Sequence, residues 1–118
     1  MVDKSMNVQI FGTKKSADTR KAQRFFKERG IKFQMVDLNQ KGLSKGEFQR
    51  VCQAVGGLDE MIDPVCKDKD LLALIKYLSP EDKFQKVLDH QIVLKQPIVR
   101  NGRQATVGYL PDVWKKWD

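Results

Sequence analysis

The sequence predicts an α/β domain: a β-α-β unit, a helical block, and then a β-β-α unit. Three observations point there. An apolar run, Val8-Gln9-Ile10-Phe11, leads through a Gly-bearing loop into a stretch of helical periodicity. Between residues 44 and 90 apolar positions recur at helical spacing, and the breaks between them carry helix caps. Strand character then returns around Asn101-Gly102, a strong two-residue hairpin signal.

The first strand is expected over Asn7 to Phe11. The helix after the loop is expected from about Ser16 to Arg29, stopped by Gly30. Ala17, Ala22, Phe25 and Phe26 lie near one face of it, with basic residues around the rest. Ile31 to Leu38 alternates in part and reads as a second strand. A right-handed crossover makes these two strands parallel. Ser44-Lys45-Gly46-Glu47 is a capping box, which opens a helix through Phe48, Val51, Cys52 and Val55. Gly56-Gly57 ends that helix. Leu58 to Ile62 is a turn or short helix before Pro64. Asp68 or Lys69 begins another helix, containing Leu71, Leu72, Leu74, Ile75 and Leu78. Ser79-Pro80-Glu81-Asp82 combines an N-cap, a first-position proline and first-turn acids, and starts a helix through Phe84, Val87 and Leu88.

Strand character is expected to resume at Ile92-Val93-Leu94 and to continue through Ile98-Val99-Arg100, with Arg103 to Gly108 as the hairpin partner. Leu110 to Trp117 reads as a terminal helix with Pro111 near its start. Trp114 and Trp117, three apart, are read as packing residues. There is no internal repeat or low-complexity stretch. The expected organisation is a flexible tail over residues 1–5, then one domain over 6–118 with a helical insertion at about 44–90.

With 118 residues the chain has room for one sizeable core, not two. Apolar residues at 41% and charged residues at 31% are ordinary for a globular protein. No apolar run approaches the roughly 18 residues of a membrane span. A short polar N-terminus without an apolar signal core predicts a cytoplasmic protein. The net charge of +7 suits an anionic partner. The lysines are dispersed, however, and no basic stripe is interleaved with aromatics, so direct nucleic-acid binding is not expected. Cys52 and Cys66 form no C-x-x-C pair, and with the lone His90 they make no zinc set. In a reducing compartment both are expected to be free thiols.

The loop Gly12-Thr13-Lys14-Lys15-Ser16-Ala17-Asp18-Thr19-Arg20 carries most of the functional signal. Its last residues sit where a helix begins, where backbone N–H groups have no intrahelical partner and the dipole is positive. Such a place binds an anion or lowers the pKa of a thiol. Lys14, Lys15, Arg20, Lys21 and Arg24 face a single acid, Asp18. The residue at the critical point is Ser16. It is also one of the best helix N-caps, which gives it a purely structural reading beside the ligand-binding one.

Taken in order, these pieces resemble a known family. β-α-β followed by β-β-α is the thioredoxin or glutaredoxin ground plan. A helical block between the halves resembles the arsenate reductase (ArsC) family coupled to glutaredoxin, which includes the Spx-type regulators of bacterial RNA polymerase. The matching pieces are Ile10-Phe11-Gly12-Thr13, the helix start Thr19-Arg20-Lys21-Ala22, Pro97-Ile98-Val99 before a hairpin, and Val107-Gly108-Tyr109 with Pro111-Asp112-Val113-Trp114. The resemblance spans roughly residues 6 to 118. It implies that Pro97 is a cis-proline shaping the loop beside Ser16.

In that family a cysteine stands where Ser16 stands. By resemblance its thiolate attacks arsenate, and arginines from later segments hold the oxyanion. One of those arginines directly precedes the proline that matches Pro97; here it is Gln96. Asp63, or a residue near it, and Tyr109 fall near the places of others, and Tyr109 resembles the regulator-like members. Serine is a poor nucleophile without a base, and it forms no mixed disulfide. His90, near the end of the helical block, is expected at the surface and not beside Ser16.

Four readings follow. One is a redox-inactive or repurposed member, with Gly12, Thr13, Lys14, Lys15, Arg20, Gln96, Pro97 and Arg100 as anion-binding or loop residues around Ser16. A second is an Spx-like protein that binds the RNA polymerase α subunit. A third is a thiol enzyme carrying an engineered cysteine-to-serine change at position 16, with glutathione and glutaredoxin as co-substrates. The last uses Cys52 or Cys66. No cofactor and no metal are expected, and a small oxyanion is the expected small ligand. Arg100 and Arg103, flanking the hairpin turn, are read as solvated.

Overall fold

A computed structural model describes residues 6–117; the expected tail at residues 1–5 lies outside the described residues. The apolar run forms β1 (Val8–Gly12), which lies inside a four-stranded sheet. Strand β2 (Phe33–Asp37) runs parallel to it, with Ile10 opposite Met35. Strand β3 (Ile98–Asn101) runs antiparallel on the other side, with Ile10 opposite Val99. Strand β4 (Gln104–Val107) completes the order β2-β1-β3-β4. Helix α1 (Ala17–Glu28) is the crossover between the parallel strands.

Alternation along the strands divides the core in two. Val8, Ile10 and Val99 point to one face, where they meet Ala22 and Phe26 of α1 and the buried Trp114 and Trp117. The rings of Phe26 and Trp114 lie 5.2 Å apart. The Trp114 indole N–H donates to Thr106 Oγ1 at 2.8 Å, so the polar end of this large side chain is satisfied inside the protein. Phe11 and Ile98 point to the opposite face, into a core shared with Phe48, Val51, Met61, Ile75, Val87 and Leu94.

Apart from Leu94, those partners come from the helical insertion. It holds α2 (Lys45–Val55), a 3₁₀ turn at Leu58–Met61, α3 (Lys69–Lys76) and α4 (Pro80–Asp89). Each helix start carries its own cap: the Ser44/Glu47 box, Asp68 and Ser79. Gly56 ends α2 with φ +101°, a backbone region that glycine enters without steric cost. The Gln91 amide ties the insertion to the loop before it: Oε1 accepts from the Leu43 N–H, while Nε2 donates to the Leu43 and Leu88 carbonyls. Helix α5 (Pro111–Trp114) closes the other face. Among the described residues no helix is long and apolar enough to cross a membrane.

Several expected boundaries differ. Ile92–Leu94 is not strand: Gln91–Val93 is a 3₁₀ turn, and Leu94 makes only an isolated bridge with Ile62. Val93 and Leu94 are buried in the insertion core, and so short an apolar run does not distinguish a strand from a buried turn. The hairpin turn is Gly102-Arg103, one residue later than expected, because Asn101 still pairs with Gln104. Gly102 takes φ +61° at the first turn position, so the signal was right and its register was not. The terminal helix is a single turn, and Trp117 packs beyond its end. Leu78 likewise falls after α3.

Arg100 joins the sheet to the insertion. It is half-buried, and its guanidinium donates to Gln9 Oε1 at 3.1 Å and to Glu47 Oε2 at 3.2 Å. The Ser44 backbone N–H holds the Glu47 carboxyl below the ordinary glutamate range, and the Ser44 hydroxyl and the Arg100 charge add to this. A carboxyl with a lowered folded-state pKa stabilises the fold above its unfolded-state pKa and loses that contribution as pH falls through the folded-state value. Glu47→Gln is therefore expected to cost on the order of 1 kcal/mol at pH 7. The gap to the parent should close as the pH drops below about 4. Urea unfolding at a series of pH values measures it; a gap that stays constant to low pH contradicts the assignment.

Candidate functional site at the α1 N-terminus

β1 ends at Gly12, and the chain turns through Thr13-Lys14-Lys15, closed by the Ser16 N–H donating to the Thr13 carbonyl at 3.2 Å. Ser16 is extended (φ −77°, ψ 118°) and is the N-cap of α1. Its Oγ accepts from the Thr19 N–H at 3.1 Å, satisfying one of the donors that a helix start leaves unpaired. Its carbonyl accepts from the Arg20 N–H.

Gln96 meets this loop from the other half of the fold. Its Oε1 accepts from the Thr13 N–H at 2.8 Å and the Thr13 hydroxyl at 3.0 Å, with the Thr19 hydroxyl at a longer 3.5 Å. Because a backbone N–H can only donate, the amide atom facing Thr13 must be the oxygen. Thr13 and Thr19 are both buried. Gly12 makes the approach possible: a Cβ there would lie 2.8 Å from Thr19 Cγ2. The Gln96–Pro97 peptide is cis, and the Pro97 carbonyl accepts from the Gly108 N–H at 2.8 Å. Next to it, the Tyr109 ring lies edge-on to Trp114, with Lys21 Nζ 5.7 Å from its centroid.

The structure thus gathers Gly12, Thr13, Ser16, Gln96 and Pro97. Lys14 and Lys15 are exposed on the loop, and Arg20 is folded back so that its guanidinium donates to the Lys14 carbonyl at 2.6 Å. Arg100 is not brought to the loop: it lies opposite Gln9 in the sheet and is engaged by Gln9 and Glu47. Arg103 is exposed in the hairpin turn. Asp63 accepts from the Val65 N–H, and its own N–H bonds the Val93 carbonyl, in the insertion. His90 is exposed at the C-terminal end of α4. Thr19 is the participant that sequence reasoning missed. Its signal was a glycine at the strand end, which marks a close approach without naming the approaching group.

Among the described residues no imidazole or carboxylate accepts from the Ser16 hydroxyl, and no group of three His, Cys, Asp or Glu side chains could hold a metal. Both cysteines are free. Cys52 donates to Met61 Sδ at 3.3 Å, and burial raises its pKa. Cys66 is buried.

Comparison with known proteins places this geometry. The chain is 31% identical over 109 residues to the global transcriptional regulator Spx 2 of Oceanobacillus iheyensis, covering 91% of this chain and 80% of that one. The chain belongs to the ArsC/Spx-like family. Solved structures of the family's fold agree. The arsenate reductase from Vibrio cholerae superposes with a TM-score of 0.78 at 24% identity, over 93% of this chain and 96% of that one. An ArsC-related protein from Brucella melitensis gives 0.67 at 18% identity, over 98% of each chain. At such identities the structural likeness speaks for the fold alone, a thioredoxin-like α/β sheet with the ArsC insertion. No family model matches the chain.

The close packing of Gly12 on Thr19 is testable. Gly12→Ala is expected to destabilise this ArsC/Spx-like chain by about 1–3 kcal/mol through overpacking. Adding Thr19→Ala removes the opposing atoms, so the double variant should be more stable than the sum of the single effects. Additive effects in chemical denaturation would contradict the contact.

Proposed function

We propose that this ArsC/Spx-like chain works by binding and not by thiol chemistry at position 16, as a cytoplasmic transcription regulator of the Spx kind. The carrying observation is Ser16 at the N-cap of α1, its Oγ accepting from the Thr19 N–H. By family resemblance this is the place of the nucleophilic cysteine. A hydroxyl there needs a base to become a nucleophile and cannot enter a disulfide cycle.

Gln96 supports the same reading. The family resemblance puts an oxyanion-binding arginine at this position. A guanidinium carries donors only, so it could not accept from the Thr13 N–H as Gln96 does. Here the side chain serves the loop, which weakens the case for a clamp on arsenate or another small oxyanion. The regulator half rests on the curated relative, which is a global transcriptional regulator. The partner we propose is the RNA polymerase α subunit. No cofactor is invoked; glutathione and glutaredoxin would be co-substrates only of a form with cysteine at position 16. The codon at that position in the source gene tests whether the serine was engineered.

Two experiments test the proposal. Arsenate reduction with glutathione and glutaredoxin should give no turnover, and measurable turnover overturns the non-catalytic half. The α subunit should be retained on the immobilised protein at low salt, and no retained complex overturns the regulator half. The site retains the means to activate a thiol. Ser16→Cys is expected to titrate well below the ~8.5 of a free cysteine, because the Thr19 N–H and the helix dipole favour the thiolate. Thiolate absorbance against pH reads this directly, and a value at or above that of free cysteine removes the argument for an activating site.

A further inference from the structure

The helical insertion holds a second feature that the α1 loop does not use. A cavity of about 260 Å³ opens between the 3₁₀ turn, α3 and α4, lined by Asp59, Ile62, Pro64, Leu72, Ile75, Lys76 and Lys83. Its lining is mixed: four apolar residues stand beside two lysines and one aspartate. Lys83 and Asp59 also line a neighbouring cavity of about 430 Å³, so their ion pair stands between the two. The pair is asymmetric: N to O is 3.2 Å, and the Lys83 side chain is 22% exposed while that of Asp59 is 79% exposed.

We propose that this cavity binds a small amphipathic carboxylate, a short alkyl or single-ring acid, with Lys83 as its anchor. The Lys83 side chain is largely covered, whereas that of Asp59 is mostly in water. An exposed carboxylate leaves such a pair at little cost. A ligand carboxylate can therefore replace Asp59 on Lys83, exchanging one anion for another. Its apolar body then covers Ile62, Pro64, Leu72 and Ile75, and each buried methylene strengthens binding about fourfold. The neighbouring cavity is less suitable, because Glu60 joins Asp59 there against the single Lys83. The volume lies just below the roughly 300–1,000 Å³ of drug-sized sites, which limits the ligand to a short chain or one ring. Nothing in this proposal depends on the regulator reading.

Calorimetric titration of the full chain with octanoate tests it, with 1-octanol as the uncharged probe of the same length. Octanoate should bind saturably, and octanol more weakly. Lys83→Met should weaken octanoate by about tenfold or more, the loss of a hydrogen bond to a charged group. Asp59→Asn should tighten it by about two- to fivefold, since the competing carboxylate is gone. Circular dichroism confirms that both variants fold. Absence of saturable octanoate binding in Asp59→Asn overturns the site. Equal binding of octanol and octanoate, or indifference to Lys83→Met, overturns the anchor.

Discussion

One carbonyl oxygen, Gln96 Oε1, joins the two halves of the fold at the candidate site. It accepts the N–H and O–H of Thr13, at the end of β1, and it lies within reach of the Thr19 hydroxyl in the first turn of α1. Gln96 itself comes from the segment that enters β3. Thr13 and Thr19 are buried, so losing this acceptor would leave donors unsatisfied at about 1–3 kcal/mol each. The loop's conformation therefore depends on a residue more than seventy-five positions away in the chain. Gly12 completes the constraint by letting Thr19 come close.

This arrangement uses the loop's inward donors internally and leaves the outward face to Ser16, Lys14 and Lys15. Ser16 acts as a helix cap, and Arg20 is turned back to the Lys14 carbonyl. The outward face of the loop is thus basic, with Lys14 and Lys15 exposed beside the capping Ser16. The sheet behind the loop is packed separately on its two faces: α1 and the buried tryptophans on one, the insertion on the other. The insertion has its own caps and its own cavities, and Arg100 bound to Glu47 is a polar link between it and the sheet.

Most of the fold was legible because local chemistry and global topology agree. Ser44, Asp68 and Ser79 cap helices where cap residues stand in the sequence, and the Val8–Phe11 run forms a strand. The failures share a cause. Ile92–Leu94 is apolar and short, and its backbone is decided by burial in the insertion, not by its own pattern. Asn101-Gly102 marks a turn correctly, but the pairing of Asn101 with Gln104 fixes its register across the sheet. In the site, Ser16 and Pro97 were legible as a helix start and a loop-shaping proline. The roles of Thr19 and Arg100 were not, since both rest on partners dozens of residues away: Gln96 for one, Gln9 and Glu47 for the other.

The most direct test of the account is amide hydrogen exchange at Thr13 in Gln96→Met, which keeps the side chain's length and removes its carbonyl acceptor. If Gln96 Oε1 holds the loop, the Thr13 amide should exchange about tenfold faster or more than in the parent, while amides in the centre of α4 keep their protection. Unchanged exchange at Thr13 would contradict the claim that this one oxygen organises the site.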